Sequence, residues 1–568
     1  MITKINLTNY KAFDKAELKI KPITILLGAN SVGKSSIIQF LLLLEQTVLA
    51  EQRNYKSALK LNGNYVNLGE STNLHRRHNL KIPIHFSFNL KNNLISNIIK
   101  TKLLGGLVLG GFAFLDFLFK NRHIDDSAFL YNQSIQFNKQ NSEILQYRFA
   151  QLKHLNLVGI EFTKVISQIS KLVANIEYNK LNDFYKSKYF SYNSIDIIVH
   201  PRTEIEILGM FDFLSKLSEL EPTSYTLKYG VISSDGLLRT NSLQIKANSA
   251  TIFEIKKNSN SKVDILSDFM NVENISKETL KNIGKLIDFN TTIFGSDINL
   301  RNLEASDFTS FIIKTIINAA TNEVQEVFKP ENVHYVSPLR FNPKRYYLLD
   351  KANANLSIDT FDGDSIAEVL KENKDLSLKV NKWFNKFGFD ISVDNVEDII
   401  HKLKVLQNDL SLDITDVGFG ISQVLPVIIQ GYLSKKDSLT IIEQPEIHLH
   451  PKMQAELADL FIEICSDLKE DEKVEKNKVV PAKYSIEKYL VIETHSEYLL
   501  KRLRRRIAEG RIKSDDVVIY SFEKSEDGNS SIMKEIDIAE RGFFDWPIDF
   551  YGNELLEDNA KFMKYQKY

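Results

Sequence analysis

The sequence predicts an α/β fold: a mixed sheet with an antiparallel β lobe and a large, mostly helical insert. Three observations support this class. The apolar run PITILLG at 22–28 passes through a glycine-rich turn into the apolar helix pattern SSIIQFLLLLEQT. The block 411–522 alternates between helix and strand patterns, which is typical of layered α/β proteins. Between these blocks, residues 95–330 carry mostly helical patterns, and strand patterns return near 222–257.

These patterns divide the chain into three parts. Residues 1–94 carry the first strands, the glycine-rich turn and short strand patterns from 59 to 92. Residues 95–330 form the insert. Residues 331–568 form the C-terminal part, where we expect helices to dominate from 365 to 408. A chain of 568 residues is too long for one simple domain, so several lobes are expected.

The composition narrows the class of protein. Hydrophobic residues make up 43% and charged residues 26%, as in soluble globular proteins. A net charge of −1 gives no global attraction to nucleic acid, so any such contact needs a local patch. The single cysteine, Cys465, excludes an intrachain disulfide and fits a reducing compartment. Because the N-terminus also lacks the apolar core of a signal peptide, we expect a cytoplasmic protein.

One segment approaches the apolarity of a membrane span. LLGGLVLGGFAFLDFLF at 103–119 is shorter than the usual ~20 residues, and Asp116 interrupts it. We favour a buried helix or helical hairpin. The alternative is a segment that touches a membrane or binds a partner.

The stretch GANSVGKSS at 28–36 fits the pattern G-x-x-x-x-G-K-[ST] in full. In such a loop the glycines let the backbone wrap a phosphate, and backbone N–H groups with the following helix N-terminus supply positive potential. Lys34 reaches the β- and γ-phosphates, and the Ser35 hydroxyl suits magnesium. Between an apolar strand and an apolar helix, the pattern predicts nucleotide binding. The predicted phosphate-binding residues are Gly28, Asn30, Gly33, Lys34, Ser35 and Ser36.

Two further strand patterns end in polar residues. LTIIEQPE at 439–446 is an apolar strand that ends in Glu443, whose carboxylate suits the magnesium shell. YLVIETHSEYLL at 489–500 is a second buried strand, and His495 follows it. Ligands bind in the crevice at the carboxyl ends of such strands, so we expect His495 to contact the γ-phosphate. The alternative is a purely structural histidine.

A second glycine-rich turn, DVGFGISQ, lies ahead of the acidic strand. Gly418 and Gly420 precede an apolar helix that we expect to begin near Ile421, with Ser422 and Gln423 in its first turn. Such a helix N-terminus is a second anion site. One nucleotide cannot easily use two helix termini of one lobe, so this site is predicted to serve ATP bound to another subunit. The alternative is an ordinary glycine turn before a core helix.

In this order, the motifs resemble the ABC-type ATPase heads of the structural-maintenance-of-chromosomes and OLD (overcoming-lysogenisation-defect) families. EQPEIHLHP followed by THSEYLL is similar in particular to the OLD-like bacterial ATPases. Further motifs resemble the subgroup that includes the PtuA ATPase of Septu and retron-linked antiphage systems. They are LNGNYVNLG at 61–69, YVSPLRFNPKRYY at 335–347 and GFFDWPIDFY at 542–551. Residues 95–330 match no motif of the family.

The resemblance implies a role for each motif. Ser35 and Glu443 hold Mg²⁺, and His495 is the switch histidine. ATP is sandwiched in a head-to-head homodimer or higher homo-oligomer. The residues implied to contact the γ-phosphate of a partner's ATP are Gly418, Gly420 and Ser422. An aromatic near the first strands, Tyr10 or Phe13, is a candidate for stacking on adenine. The glutamine through which such heads contact magnesium has no match that we can place.

The sequence departs from the family at Gln444, where many such enzymes keep a catalytic glutamate. A glutamine can position a water but cannot take its proton. Loss of general-base help costs a factor of roughly 10² to 10⁴ in rate, so we expect slow hydrolysis, with ATP acting mainly to hold the dimer. The competing interpretation is that Glu446, past Pro445, serves as the base and restores normal turnover.

Other clusters carry weaker signals. The run KRLRRR at 501–506 should form a helix with its cations outward. Nucleic-acid contact through this face competes with a solvated face or with pairing to an acidic partner surface. Its cationic residues are Lys501, Arg502, Arg504, Arg505 and Arg506, and a weaker basic group consists of Arg340, Lys344 and Arg345. For Glu446, His448 and His450 we favour loop hydrogen bonding over a metal site. The tyrosine-rich stretch 182–194 favours a half-buried surface over base stacking or contact with a protein partner.

The sequence therefore favours one function and leaves two alternatives. Only about 70 residues follow ETHS, without a clear acidic metal cluster, so we do not expect a nuclease within the chain. The favoured function is an ATP-binding, slowly hydrolysing sensor and scaffold of a bacterial antiphage complex, with no membrane contact. It would control a separate effector such as an HNH-type nuclease or toxin. The alternatives are a DNA-repair or chromosome-associated ATPase, for which the chain lacks coiled coils and a CxxC hook, and a non-hydrolysing ATP-gated scaffold.

Overall fold

A computed structural model describes residues 2–51, 56–91, 213, 216–217, 224–257, 262–286, 292–294, 308–340, 342–348, 365–397, 400–408, 410–466, 484–547, 550 and 561. The chain divides into two compact units. The head unit comprises residues 3–49, 61–79 and 326–568, and the lobe unit comprises residues 1–2, 50–60 and 80–325. The segments 103–119 and 182–194, for which the sequence suggested roles, lie outside the described residues.

The strands, in chain order, are β1 (Ile2–Tyr10), β2 (Phe13–Lys19), β3 (Ile23–Gly28), β4 (Ile84–Leu90), β5 (Tyr225–Ser234), β6 (Leu237–Ala247), β7 (Ala250–Lys257), β8 (Val263–Leu266), β9 (Val333–Val336), β10 (Tyr347–Leu348), β11 (Asp390–Glu397), β12 (Ile400–Gln407), β13 (Leu410–Asp413), β14 (Leu439–Glu443), β15 (Tyr489–Glu493), β16 (Val517–Lys524) and β17 (Ser531–Ile536). The α-helices of the described residues are α1 (Lys34–Glu51), α2 (Lys277–Leu286), α3 (Phe308–Val327), α4 (Ser365–Glu372), α5 (Lys374–Asn385), α6 (Phe419–Leu433), α7 (Pro451–Cys465) and α8 (Glu497–Ala508).

The main sheet of the head unit is mixed, with the order β1-β2-β17-β16-β3-β15-β14-β9. Neighbours from β16 to β9 run parallel, whereas β1–β2 and β16–β17 are antiparallel pairs. The central strands β3, β14 and β15 are apolar and almost wholly buried, as expected for parallel strands covered on both faces. Their carboxyl ends therefore meet along one edge of the sheet. The predicted α/β class with a mixed sheet is confirmed.

The block that carries the motifs folds in the predicted alternation. From 419 to 524 the order is α6, β14, α7, β15, α8 and β16. Apolar faces of α6, α7 and α8 join the main core cluster of the head unit, together with strands β3, β14 and β15. Helix α6 begins at Phe419, two residues before the predicted start, with Gly418 as its N-cap. This extra half-turn places both glycines at the helix start.

The prediction that helices dominate from 365 to 408 is wrong in its second half. Helices α4 and α5 end at Asn385, and the chain then forms the antiparallel strands β11 and β12. With β10 and β13 they make a second, four-stranded sheet of the head unit. The physical reason is period-two alternation: in HKLKVLQ, buried residues alternate with partly exposed ones along β12.

The lobe unit contains an antiparallel sheet with the order β8-β7-β6-β5-β4. The predicted strands near 222–257 are confirmed. The predicted turn SSDG joins β5 to β6, with Asp235 and Gly236 both at positive φ, as tight hairpin turns require. Strand β4 precedes residue 95 and pairs with β5, which follows it, so the sheet crosses the predicted boundary of the insert. The domain limits themselves stay a prediction.

Among the residues that the structure describes, no helix is long and apolar enough to cross a membrane.

Candidate functional site

The glycine-rich loop sits where β3 ends and α1 begins. Ala29, Asn30, Ser31 and Ser35 are exposed along it, so the loop and the start of α1 are open to a ligand. Gly33 has φ +109°, and a Cβ there would lie 2.6 Å from the Phe13 ring. Glycine is therefore required here both by the backbone and by a packed aromatic. The arrangement fits a phosphate cradle that ends in a helix N-terminus.

Lys34 is already engaged at this site. Its Nζ donates to the carbonyl oxygens of Gly28 (2.9 Å) and Ala29 (2.8 Å) and lies 3.4 Å from Oε1 of Glu493. The Lys34 and Glu493 side chains are only 3% and 5% exposed. The lysine is thus held by the loop's own carbonyls and one buried carboxylate, at the place where a phosphate would need its charge.

Glu443 and Glu493 end adjacent parallel strands in direct register. The Tyr335 hydroxyl donates to Oε1 of Glu443 (2.6 Å). Burial, followed by the hydrogen bond with Glu493, raises the pKa of Glu443 to about 7. The donor set formed by these carboxylates and the Ser35 hydroxyl is all oxygen, which suits Mg²⁺. Ser35 and Glu443 therefore fit the predicted magnesium role, which stays a prediction.

Gln444 turns the chain away from β14 in a strained conformation. Its φ is +46°, in the left-handed region that non-glycine residues rarely adopt. Its N–H donates to the Glu493 carbonyl (2.8 Å). Arg340 Nη2 donates to the carbonyls of Glu443 (2.8 Å) and Gln444 (3.1 Å). The Gln444 backbone is thus held by Glu493 through its N–H and by Arg340 through its carbonyl oxygen, and its side chain is half-buried.

Arg340 is itself buried, so its assignment to a basic surface group is wrong. Burial lowers its pKa to about 10. The guanidinium stabilises the turn after β14, because its Nη2 donates hydrogen bonds to the main-chain carbonyl oxygens of Glu443 and Gln444.

Glu446 faces the loop that follows β15. Its Oε1 accepts from the His495 N–H (2.7 Å), and its Oε2 accepts from the Thr494 hydroxyl (2.8 Å). Burial raises the pKa of Glu446, against the lowering effect of these donors. His495 is exposed, and burial of part of its ring, followed by the Lys34 charge, lowers its pKa. His495 is thus exposed directly after β15, and its predicted contact with the γ-phosphate stays a prediction, whereas Glu446 accepts a hydrogen bond from its backbone N–H.

The second glycine-rich turn, which contains Gly418 and Gly420, packs on the loop that follows β14. A Cβ on Gly420 would lie 2.5 Å from the His448 carbonyl oxygen, and the Phe419 ring meets the His448 ring edge to face at 5.2 Å. Gly418 is exposed with open space around it, so the start of α6 can receive an anion. The predicted roles of this helix start stay predictions.

Two of the side chains predicted for the second anion site, at the start of α6, are turned inward. Ser422 is 1% exposed, and its hydroxyl donates to the Phe419 carbonyl (2.8 Å). Gln423 is also buried. The groups that α6 presents outward are therefore its first backbone N–H groups at Gly418 and Phe419, rather than the Ser422 hydroxyl.

Neither aromatic proposed for adenine stacking is available. Tyr10 and Phe13 are 1% and 0% exposed. The Tyr10 ring packs on Phe40 at 5.4 Å, and the Phe13 ring packs on Phe522 at 6.1 Å. The resemblance suggested a ligand contact for an aromatic near the first strands, but both rings pack in the core.

The basic run forms α8, as predicted, and its cations are paired within the chain. Arg502 donates to Glu456 (2.7 Å) and Asp459 (2.5 Å) of α7, and Arg506 also pairs with Asp459. Outside these contacts, Arg504 lies over the Phe543 and Phe544 rings, Lys501 pairs with Glu497 of the same helix, and Arg505 pairs with Glu509, the C-cap. Pairing with α7 of the same chain, which the sequence did not predict, removes Arg502 and Arg506 from a phosphate-binding surface.

The histidines after the acidic strand serve the loop. His450 caps α7, with Nδ1 accepting from the Lys452 N–H (3.3 Å), and His448 contacts Phe419. Within the described residues, no group of three or more histidine, cysteine, aspartate or glutamate side chains could hold a metal ion. Glu446, His448 and His450 therefore do not form such a site.

Sequence reasoning missed three residues of this edge. Glu493 was passed over because it reads as the last residue of a buried strand, although a carboxylate in that place was itself a signal. Tyr335 and Arg340 lie in a segment more than 100 positions before Glu443. No local pattern could have placed them beside it.

Comparison with known proteins gives one family match. The family model for the AAA ATPase domain matches residues 1–500. No curated protein matches the chain.

Solved structures give more distant likenesses. One is an Smc head bound to the C-winged helix domain of ScpA, with 9% identity, coverage of 94% of this chain and 97% of that one, and a TM-score of 0.34. Another is the SMC head domain from Thermotoga maritima, with 7% identity, coverage of 94% and 99%, and a TM-score of 0.29. A third is an Smc head with an extended coiled coil from Pyrococcus furiosus, bound to the C-terminal domain of ScpA. It has 9% identity, coverage of 100% and 99%, and a TM-score of 0.31. All three TM-scores are low, so the fold described above rests on this chain's own strands and helices.

Proposed function

The chain belongs to the AAA ATPase domain family, and from this premise we propose that it is an ATP-binding, slowly hydrolysing sensor and scaffold subunit. It dimerises around ATP and controls a separate effector. The observation that carries the proposal is the state of the two candidate bases. Gln444 occupies the place after Glu443, and both carboxylate oxygens of Glu446 accept hydrogen bonds from Thr494 and His495.

ATP binding rests on the open loop between β3 and α1. The exposed loop backbone and the N-terminus of α1 bind the phosphates, and Lys34 turns from the Gly28 and Ala29 carbonyls toward them. Ser35 and Glu443 hold magnesium, which when bound neutralises the phosphate charge. Tyr335 orients the Glu443 carboxylate through its 2.6 Å hydrogen bond.

Hydrolysis is slow because neither residue of the described turn after β14 is ready to take a proton from water: Gln444 is an amide, and the Glu446 carboxylate accepts two hydrogen bonds. Gln444 orients a water through its amide but does not accept the proton. Glu446 would have to give up one of two hydrogen bonds to act as a base. The rate falls by about 10² to 10⁴ relative to an enzyme with a glutamate at the Gln444 position.

Dimerisation uses the second glycine turn. The start of α6, with Gly418 and Phe419 exposed, offers backbone N–H groups and the positive end of a helix dipole to a phosphate. This helix start and the loop before α1 each suit one phosphate group. A pair of chains that face each other would let each helix start reach the partner's ATP.

Control of an effector in antiphage defence rests on the motif resemblance. EQPEIHLHP, THSEYLL and the terminal GFFDWPIDFY resemble OLD-like ATPases of the PtuA type. Part of the last motif packs in the head unit: Phe544 is buried, and tilted ring contacts join Phe544 to Trp546 and Trp546 to Phe550, with centroids 5.2 and 4.9 Å apart. The effector would be a separate chain such as an HNH-type nuclease or a toxin.

A second candidate is a scaffold that binds ATP and never hydrolyses it. The two hydrogen bonds accepted by Glu446 favour this candidate. A carboxylate engaged in both would not act as a base, so ATP would stay intact and keep the dimer together. The two candidates differ only in phosphate release.

The experiment measures mass by light scattering and phosphate release on the same purified protein, with ATP, ADP or no nucleotide. We expect the mass to double with ATP and Mg²⁺ only and to return to the monomer value slowly, at the rate of phosphate release. A lasting doubled mass without phosphate release would select the scaffold. If ATP changes neither mass nor thermal stability, the proposed function fails. A Lys34→Ala variant is the control for nucleotide binding.

A further inference from the structure

The buried pair of Glu443 and Glu493 contains one carboxylate to which the sequence gave no role. The two glutamates end β14 and β15 in register, so their Cα atoms lie about 4.8 Å apart across parallel strands. Glu493 is 4% exposed, and its Oε2 is buried without a hydrogen-bond donor among the described residues.

Only one described cation lies within ion-pair distance of either carboxylate. Lys34 Nζ is 3.4 Å from Oε1 of Glu493, and Glu443 is approached by the Tyr335 hydroxyl instead. In the absence of nucleotide, Lys34 is therefore the described side chain that compensates the charge of Glu493.

ATP binding removes that compensation. A lysine of this loop pattern reaches the β- and γ-phosphates, and the Lys34 ammonium cannot serve a phosphate and the buried Glu493 equally. Once Lys34 has left, the buried Glu493 carboxylate loses its ion-pair partner, and burial of an uncompensated charge is unfavourable. A divalent cation that arrives with the nucleotide restores the balance and takes oxygen ligands by preference.

We propose that Glu493 exchanges partners on nucleotide binding: it neutralises Lys34 in the empty site and joins Glu443 as a second carboxylate toward the divalent cation of bound ATP. The proposal rests on the proposed ATP binding and goes beyond it. It explains why an unpaired carboxylate oxygen lies buried beside the loop, one strand away from the acid that the motif predicts. Glu493 is also two residues before His495, so its change of partner occurs directly beside the loop that carries the exposed imidazole.

The test is binding of a fluorescent ATP analogue at increasing free Mg²⁺, compared between wild type and Glu493→Gln. We expect the Mg²⁺ concentration for half-maximal binding to rise at least about tenfold in the variant, the effect of losing one side chain that supports a metal site. In EDTA, without a divalent cation, we expect the substitution no longer to weaken binding of the analogue. The variant should bind the analogue as tightly as wild type or more tightly, because Lys34 no longer has a competing carboxylate.

Glu45→Gln is the matched control. Glu45 lies on α1 and is 1% exposed, and burial raises its pKa to about 8, so the change replaces one buried neutral group by another. It should leave the Mg²⁺ dependence unchanged. The same Mg²⁺ dependence in Glu493→Gln and wild type would overturn the proposal. Absence of nucleotide binding in wild type at any Mg²⁺ would instead refute the proposed function.

A second variant covers the case in which Glu493→Gln does not fold. Glu493→Cys puts a soft ligand in the same place, so analogue binding should shift its preference from Mg²⁺ toward Cd²⁺ relative to wild type. An unchanged metal preference in this variant would overturn the proposal independently.

Discussion

The backbone N–H of His495 donates to Oε1 of Glu446 at 2.7 Å, joining the turn after the acidic strand to the loop after β15. The Thr494 hydroxyl occupies the other oxygen of the same carboxylate. The glutamate that stands two residues beyond Gln444 is therefore a support for the histidine loop. This relationship favours the interpretation in which Glu446 does not serve as the base, and that interpretation stays a prediction.

The free energy of unfolding of Glu446 variants tests whether this carboxylate stabilises the loop after β15. Glu446→Ala leaves a buried N–H and a buried hydroxyl without their acceptor, so we expect the free energy of unfolding to fall by about 2–4 kcal/mol. Glu446→Gln should cost about 1 kcal/mol or less, because its amide oxygen still accepts from His495 and its NH₂ meets the Thr494 hydroxyl. Denaturant unfolding measures both values. Equal losses in the two variants would contradict a hydrogen-bonding role.

The Glu443 carboxyl makes stability depend on pH in the absence of metal. Its folded pKa is raised from 4.5 to about 7, so the folded chain binds more protons than the unfolded chain between these values. The contribution is therefore fully present below pH 4.5 and is lost as pH rises through 7. In EDTA we expect wild type to lose on the order of 1–3 kcal/mol over this range relative to Glu443→Gln. Parallel pH profiles of the two proteins would contradict the shift.

The ion pairs made by the arginines of α8 should contribute differently to the free energy of unfolding. Arg506 pairs with Asp459 at a half-buried position, 22% and 17% exposed, whereas Arg505 pairs with Glu509 at 63% and 34%. Arg506→Ala should lower the free energy of unfolding by about 1–3 kcal/mol and Arg505→Ala by about 0–1 kcal/mol. Thermal and denaturant melts compare them. If Arg506→Ala is neutral but weakens nucleic-acid binding, the arginine serves an outer surface instead.

Gly418 offers a test of the second anion site that spares the fold. The position has open space, and aspartate and asparagine are both good N-caps for α6. Gly418→Asp should keep stability within about 1 kcal/mol and keep nucleotide binding by the single chain. Its negative charge would repel a partner's phosphate, so ATP-dependent dimerisation should weaken at least about tenfold, or 1.4 kcal/mol. Gly418→Asn is the uncharged control. Sedimentation that shows equal dimerisation of the two variants would exclude this helix start as the contact.

The sequence predicted the parts of the site that lie close together along the chain. GANSVGKSS between a strand and a helix predicted the loop and its lysine, and LTIIE and YLVIE predicted two neighbouring strand ends. These features are local, since strand patterns and glycine turns need only a few consecutive residues.

What the sequence could not predict depends on residues brought together from distant positions. Tyr10 and Phe13 look like ligand contacts beside the loop, and only the packing of Phe40 and Phe522 shows that both rings belong to the core. The inward turn of the Ser422 hydroxyl follows from the helix starting at Phe419. Boundaries of this kind shift by one or two residues and reverse which face a side chain occupies.

The most direct test of the central claim is single-turnover ATP hydrolysis by wild type, Gln444→Glu and Glu446→Gln. Gln444→Glu supplies a carboxylate at the position that follows Glu443, so we expect phosphate release to accelerate by about 10² to 10⁴. If Glu446 is not the base, as we propose, Glu446→Gln should stay within about threefold of the wild-type rate. Wild-type hydrolysis that Gln444→Glu does not accelerate and Glu446→Gln abolishes would contradict the account and identify Glu446 as the catalytic base.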